Sequence, residues 1–221
     1  MTGKAASSPS VFETSDIGGL AHEFNNILGI IIANLDLLAD EIGARPEASN
    51  LIEEAMTAAT RGSALARSLL RGPTASVAPV ITPVPDGSAA TSAANELILV
   101  VDDNVPLRRA VVRELAALGY RTLEAGDGPA ALMILNGEAV DLLFTDVVMP
   151  GGMSGFDLAR LVLARWPAMK ALITSAFPEL EPTADSITAG KLRRLIKPYR
   201  KDELAVALHE VLAAASAAPR P

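Results

Sequence analysis

Three aspartates and a lysine in the second half of the chain have the chemistry of a phosphoryl-transfer site. Asp102 and Asp103 follow one short apolar run, Asp146 ends another, and Lys197 ends a third. Carboxylates that share one crevice repel one another, so they need a cation, and oxygen ligands of this kind suit Mg²⁺. With the metal bound, one carboxylate can attack a phosphoryl group while the metal and the lysine neutralise the charge on its oxygens.

A histidine near the start of the chain could supply the other half of this chemistry. His22 and Asn26 are four residues apart, so on a helix they lie on one face. Neutral imidazole accepts a phosphoryl group near pH 7, and a neighbouring carboxylate such as Glu23 can fix its tautomer and increase its basicity. The same face continues through Gly29, Ala33, Asp36 and Asp40. We therefore expect His22 to point to solvent.

Helical spacing surrounds this histidine. Steps of three and four connect the apolar residues of a first helix, which are Ile17, Leu20, Phe24, Leu28, Ile31, Leu35, Leu38 and Ile42. A second helical stretch follows Gly43 and Pro46, with repeats at Leu51, Ala55, Ala58, Gly62, Leu65 and Leu69. The pair predicts an antiparallel hairpin. Two helices enclose too little interior to be stable alone, so we predict a homodimer in which two hairpins form a four-helix bundle.

The pattern changes after the hairpin, which we place at residues 11–71. Residues 72–95 contain four prolines among Ala, Ser, Thr and Gly and predict a linker. A second domain, residues 96–217, alternates helical periods with five apolar runs at 97–101, 120–125, 141–145, 170–174 and 192–196. This alternation predicts a doubly wound parallel sheet, so the fold class is α + α/β. The ligand site of such sheets lies at the carboxyl ends of the strands, where we find Asp102, Asp103, Asp146, Ser175 and Lys197.

The second domain resembles the receiver domain of bacterial response regulators over essentially all of residues 96–215, including the segment Met-Pro-Gly-Gly-Met-Ser-Gly after Asp146. The resemblance implies a flavodoxin-like fold with Asp146 as the phosphoacceptor. It implies that Asp103, Asp146 and the carbonyl of Val148 bind Mg²⁺, while Asp102 helps through water. It also implies that Lys197 contacts the phosphoryl oxygens, and that the peptide bond to Pro198 is cis.

The switch hydroxyl of the receiver pattern has two candidates in this chain. Ser175 fits better because the small residue Ala176 follows it, and Thr174 remains the alternative. Two features depart from the family: Arg194 stands where receivers often have an aromatic residue, and the proline-containing stretch 177–190 is a poor helix.

The first domain resembles the dimerisation and phosphotransfer (HisKA-type) domain of histidine kinases, particularly of hybrid kinases that end in a receiver. Residues 18–28, Gly-Gly-Leu-Ala-His-Glu-Phe-Asn-Asn-Ile-Leu, and residues 63–70 carry the resemblance. It implies that His22 is phosphorylated, that Glu23 is the acid/base residue, and that Asn26 positions water for phosphatase chemistry. His209, on the last predicted helix, is expected to be structural or solvated. The ATP-binding domain that normally follows is missing, so we do not expect the chain to phosphorylate itself from ATP.

Composition excludes several other classes of function. The 221 residues carry a net charge of −7 with a pI near 4.9, which argues against a nucleic-acid binder. The chain has no cysteine, so disulfides and cysteine-ligated zinc are excluded. The most apolar run, 27–38, is broken by Asn34 and Asp36 and is too short to span a bilayer. Without a signal-peptide pattern at the start, a cytoplasmic protein without membrane contact is expected.

These observations favour a two-component phosphorelay protein that exchanges a phosphoryl group between His22 and Asp146 or with a partner histidine kinase or response regulator. One alternative is a regulatory protein whose receiver controls binding to such a partner. Another is a phosphatase, or phosphate sink, that uses Glu23 and Asn26. The sequence leaves open whether transfer occurs within a chain, across the dimer or between proteins.

Overall fold

The computed structural model of the protein describes residues 14–42, 46–71, 96–149, 152–176 and 191–213. The elements in chain order are α1 (Thr14–Ile42), α2 (Pro46–Arg71), β1 (Leu97–Val101), α3 (Val105–Ala117), β2 (Arg121–Ala125), α4 (Gly128–Leu135), β3 (Leu142–Asp146), α5 (Gly155–Arg165), β4 (Lys170–Ser175), β5 (Leu192–Ile196) and α6 (Lys201–Ala213). The predicted linker 72–95 and the predicted poor helix at 177–190 lie outside the described residues. No helix in these ranges combines the length and hydropathy of a membrane span.

The second domain, called the receiver fold below, is a five-stranded parallel sheet with strand order β2-β1-β3-β4-β5. This order confirms the predicted doubly wound sheet, and the predicted strand bounds agree with the structure to within one residue. The central strands β1 and β3 are buried along their whole length, whereas the edge strands β2 and β5 are partly exposed. Near-continuous apolar runs form the central strands because helices cover both faces of the sheet.

Alternate residues of β1 point to two separate cores. Leu99 faces the side covered by α4 and α5, where it packs in a cluster with Leu158. Ile98 faces the side covered by α3 and α6, where Leu107 and Leu204 belong to the same cluster. These two cores hold the carboxyl ends of the strands in fixed positions.

Three helices of the receiver fold begin with a side-chain cap just beyond a strand or loop. The side chains of Asn104, Asp127 and Ser154 accept hydrogen bonds from the backbone N–H groups of Leu107, Ala130 and Asp157, respectively. Such caps satisfy N–H groups that have no partner inside the helix. They set where α3, α4 and α5 begin, next to the carboxyl ends of β1, β2 and β3.

Helices α1 and α2, called the hairpin below, pack side by side around a small core of Leu28, Ile32, Ile52, Met56 and Ala59. A buried polar contact joins them, a 2.5 Å hydrogen bond from the Ser63 hydroxyl to Asn25 Oδ1. The contact links the early part of α1 to the late part of α2, as an antiparallel arrangement requires.

The predicted apolar stripes of the two helices divide between buried and exposed positions. Leu28 packs against α2, but Leu20 is 72% exposed and Phe24 is 42% exposed. On α2 the predicted stripe lies on the outer side, because Leu51 and Leu65 are 67% and 63% exposed. The spacing predicted the two helices correctly. Much of each predicted stripe is exposed, because both helices carry apolar residues around more than one face.

Candidate functional site

The predicted aspartates come together at the carboxyl end of the sheet. Asp102 and Asp103 follow β1, and Asp146 is the last residue of β3. One carboxylate oxygen from each of the three lies within 4.8 Å of the others. Asp102 and Asp146 are buried, whereas Asp103 is exposed at the rim.

Lys197 reaches this cluster from the end of β5. Its Nζ lies 2.9 Å from Asp146 Oδ2 and 3.2 Å from Asp102 Oδ2. Burial by itself lowers the pKa of Lys197, but the two carboxylates outweigh burial, and the pKa lies above its usual value. Lys197 therefore remains a buried cation. The peptide bond to Pro198 is cis, as predicted.

The environment of Asp102 differs from that of an exposed carboxylate. Burial raises the pKa of Asp102, Lys197 lowers it, and Asp146 raises it further, so the pKa lies above its usual value. Its Oδ1 accepts a 2.9 Å hydrogen bond from the backbone N–H of Asn104. Its carbonyl oxygen accepts a 2.6 Å hydrogen bond from Arg108, a contact that the sequence analysis did not anticipate.

The acidic cluster fits Mg²⁺. Asp146 Oδ1 is buried and has no hydrogen-bond partner among the described residues, so a cation would satisfy an otherwise unpaired oxygen. The three carboxylates are hard oxygen ligands, and exposed Asp103 leaves a side open for the waters that Mg²⁺ retains. Val148, whose carbonyl is the further ligand that the resemblance implies, is exposed in the loop directly after Asp146. Lys197 alone compensates these carboxylates only in part.

Gly155 holds the loop after Asp146 in place, a role that the sequence analysis did not assign. Its N–H donates a 3.0 Å hydrogen bond to the carbonyl of Val147. A Cβ at this position would lie 1.9 Å from the carbonyl oxygen of Asp146, so only glycine permits this approach. The signal in the sequence is the Ser154-Gly155 pair, a helix cap followed by the smallest residue.

The two candidate switch hydroxyls are adjacent and both buried. Thr174 Oγ1 lies 3.4 Å from the carbonyl oxygen of Thr145, so this hydroxyl is directed at the neighbouring strand. Ser175 ends β4, and its carbonyl accepts a 2.8 Å hydrogen bond from the N–H of Lys197. Arg194 lies opposite Ile173 in the sheet.

His22 lies against the acidic cluster and not in solvent, so the expected orientation was wrong. Its Nε2 is 3.7 Å from Asp146 Oδ2, and its side chain is 16% exposed. Asn26 Nδ2 lies 3.1 Å from the same Nε2. The face of α1 that carries these residues has little apolar surface of its own, but the receiver fold covers it. A sequence pattern cannot show which other domain covers a helix face.

The other predicted residues, and the remaining polar atoms of His22 and Asn26, differ in burial and in hydrogen bonding. Glu23 is exposed, and among the described residues His22 Nδ1 is buried without a hydrogen-bond partner. Asn26 is buried, and its Oδ1 is likewise unpaired within the described part of the chain. His209 is exposed on α6.

Comparisons with known proteins match this half of the chain. The response regulator receiver domain family matches residues 98–209. Sporulation initiation phosphotransferase F of Bacillus subtilis (strain 168) is 31% identical over 118 residues, which are 53% of this chain and 94% of that protein. Response regulator receiver protein CpdR of Brucella abortus (strain 2308) is also 31% identical over 118 residues, 53% of this chain and 98% of that protein. The family match begins at residue 98, so it does not include the hairpin.

Solved structures that cover the same half include one with a magnesium compound. Response regulator protein TrrA of Thermotoga maritima, in complex with Mg(2+)-BeF, is 26% identical with a TM-score of 0.47, over 53% of this chain and all of that chain. Receiver domains bind Mg²⁺ through an acidic pocket, and Asp102, Asp103 and Asp146 form a pocket of that kind.

Proposed function

The chain belongs to the response regulator receiver family, and on that basis we propose that it is a phosphorelay protein in which His22 and Asp146 exchange a phosphoryl group. The observation that carries the proposal is the 3.7 Å separation between His22 Nε2 and Asp146 Oδ2. A histidine from a separate helical pair thus faces the buried carboxylate of a two-component receiver.

The transfer needs no further reactant. Asp146 Oδ2 attacks the phosphorus of phosphorylated His22, the P–N bond breaks as the P–O bond forms, and the electron pair returns to Nε2. The reverse step uses the Nε2 lone pair as the nucleophile. Because the phosphoryl group must lie between the two atoms, roughly in line, the 3.7 Å contact represents the unphosphorylated pair.

The surrounding groups have distinct proposed roles. Asp103, Asp146 and the carbonyl of Val148 would hold Mg²⁺, with Asp102 acting through water. The ion, when bound, would neutralise charge on the phosphoryl oxygens. Lys197, whose Nζ lies 2.9 Å from Asp146 Oδ2, would neutralise charge on the same oxygens.

Two further assignments rest on position. Ser175 is the proposed switch hydroxyl, because the Thr174 hydroxyl is directed at a backbone carbonyl. Glu23 remains the proposed acid/base residue of the histidine.

The test charges the purified protein with acetyl phosphate and Mg²⁺ and measures acid-labile histidine phosphate and base-labile aspartyl phosphate. We expect both in the wild type. Asp146→Ala should lose both, while His22→Ala should lose only the acid-labile phosphate. His209→Ala, which removes an exposed histidine, is the matched control and should resemble the wild type. Histidine phosphate that persists in His22→Ala, or that never forms, contradicts the relay.

A second candidate function is dephosphorylation of Asp146, favoured by the position of Asn26. Its amide contacts the His22 ring, and its buried Oδ1 has no partner among the described residues, so it could hold a water molecule. Asn26→Ala should then lengthen the lifetime of aspartyl phosphate several-fold. Asn50→Ala, at an exposed position on α2, is the control. Equal lifetimes in the two variants count against a phosphatase.

We further propose that the hairpin pairs with a second copy. The side of α1 remote from the receiver fold exposes a row of apolar side chains, namely Leu20, Phe24, Ile27, Ile31 and Leu38. An uncovered row of this kind is typical of an interface. Ile31→Lys should shift the sedimentation of the protein from dimer to monomer. Leu161→Lys places the same charge on an equally exposed apolar residue of α5 and should leave the dimer intact.

A further inference from the structure

The face of α1 that contains His22 packs directly on the receiver fold. Gly29 lies against Leu107 of α3, and a Cβ on Gly29 would meet the Leu107 side chain at 3.5 Å, an ordinary contact distance. Gly29 and Ala33 also line a cavity of about 10 Å³ together with Val111 and Tyr199. A cavity of that size is at the lower limit for one water molecule, so the two surfaces are closely fitted.

Charged groups of α1 and α2 also pair with charged groups of the receiver fold. Arg200 donates two hydrogen bonds to the carboxylate of Glu53 on α2, at 3.0 and 3.2 Å. The backbone N–H of Lys201 donates a 2.9 Å hydrogen bond to Asp36, and its side chain pairs with Asp40. In these pairs the hairpin supplies the acidic groups and the receiver fold supplies the basic groups, so this part of the contact is complementary in charge as well as in shape.

The contact between α1 and the receiver fold determines which phosphodonors can reach Asp146. Asp146 is 1% exposed, and His22 lies directly on the oxygen that Lys197 also contacts. A phosphodonor has to approach an attacking carboxylate roughly in line with the new bond. In the docked arrangement the ring of His22 lies 3.7 Å from Asp146 Oδ2 and limits that approach.

We propose that the hairpin is an intramolecular cover of the receiver site: while α1 is docked on α3, Asp146 is closed to phosphodonors in solution, which react only after the hairpin is displaced. The cover does not depend on phosphorylation of His22, because it follows from the position of α1. Tethering in one chain favours this contact over the same contact between two chains, since the effective concentration is high.

Two substitutions of Gly29 form a matched pair for the test. Gly29→Trp places a ring where Leu107 now packs and should undock α1, whereas the methyl group of Gly29→Ala fits the contact. The measurement is the initial rate of base-labile phosphate formation on Asp146 from acetyl phosphate with Mg²⁺. We expect an increase of about fivefold or more in Gly29→Trp, because the closed population is removed, and no increase in Gly29→Ala. Equal rates in both variants overturn the proposal.

A distance measurement distinguishes a cover within the chain from one between chains. The chain has no cysteine, so labels can be attached at Glu54→Cys on α2 and Arg109→Cys on α3, both exposed. With labelled protein diluted into an excess of unlabelled protein, we expect one short distance in the otherwise unchanged protein and in Gly29→Ala. In Gly29→Trp the distances should become long and broad. Loss of the short distance on dilution contradicts the same-chain arrangement.

Charge-reversal variants test the same proposal if Gly29→Trp fails to fold. Arg200→Glu and Glu53→Arg should each raise the rate of Asp146 phosphorylation about two- to fivefold, because each turns an attraction into a repulsion at a partly exposed pair. The double variant restores opposite charges and should return towards the wild-type rate. Single variants that react at the wild-type rate contradict the cover. Faster phosphorylation without histidine phosphate would support the cover and reject the relay.

Discussion

The receiver fold and the hairpin are stabilised in different ways. Central strands of the receiver fold are buried along their length, and two apolar clusters fill the space between sheet and helices. The hairpin has one small cluster and leaves Leu20, Leu51 and Leu65 more than 60% exposed. The receiver fold encloses its own core, whereas the hairpin needs surfaces from outside itself.

Helix α1 shows what those outside surfaces are. Ile32 faces α2, Gly29 faces the receiver fold, and Ile31 is exposed. Successive residues of a helix turn by about 100°, so three neighbouring positions can have three different environments. The same helix can therefore join α2, dock on the acidic site and keep a third side for another copy.

Substitution of one glycine in each region tests this difference between the receiver fold and the hairpin. Gly155→Ala should strongly destabilise the receiver fold, by about 3 kcal/mol, because its Cβ would overlap the Asp146 carbonyl at 1.9 Å and the backbone has to move. Denaturant unfolding followed by the fluorescence of Trp166, the single tryptophan, measures this change. Gly29→Ala is the control and should not destabilise the protein. A loss below about 1 kcal/mol for Gly155→Ala would mean that the loop is not held rigidly.

A pH dependence should arise where the two regions meet. Glu114 on α3 is buried, and neither carboxylate oxygen has a hydrogen-bond partner among the described residues. Burial first, then Asp36 on α1, raises its pKa to about 8, while Lys201 and Arg113 oppose the shift. The unfolded group titrates near 4.5, so the folded state binds the extra proton. The stability that this protonated carboxyl contributes is therefore fully present below pH 4.5. It decreases as the pH rises above 4.5 and is lost once the pH has passed about 8.

Glu114→Gln is the variant that tests this dependence. The free energy of unfolding of this variant should not change with pH through this position. The wild type should lose at most about 1.4 kcal/mol per pH unit from pH 5 to about 8, where the carboxyl is ionised in the unfolded chain and protonated in the folded chain. Denaturant unfolding at several pH values measures the slope. Tyr199, whose buried hydroxyl lies near this carboxylate, titrates well above this range. Glu54→Gln, at an exposed position, is the control. Equal slopes in both variants would contradict a neutral, buried Glu114.

The smallest of the three effects concerns the metal. Mg²⁺ should stabilise the receiver fold by about 1.4 kcal/mol at ten times its dissociation constant, because it binds the folded cluster. Asp103→Asn removes an exposed carboxylate that we propose as a ligand, without opening the core, and it should abolish most of the Mg²⁺ effect on the unfolding of the receiver fold. An unchanged Mg²⁺ response in this variant would exclude Asp103 as a ligand.

Much of this architecture was predictable because the receiver fold is made of local signals. Apolar runs predict the strands, and the helical periods between them predict the helices. The rule that ligand sites lie at the carboxyl ends of parallel strands then brings Asp102, Asp146 and Lys197 together. Gly155 and Glu114 were not assigned because their roles depend on which backbone or helix lies opposite them.

The sequence by itself determined the elements, the sheet and the chemistry of the acidic cluster, since periodicity and residue type act over a few neighbouring positions. The tertiary structure decided which face of α1 is covered. Gly29, Ala33 and Asp36 have the pattern of a solvated face, yet they fit against α3 and α6, because burial and charge pairing depend on surfaces distant in the chain. The position of His22 on Asp146 is the consequence of that docking.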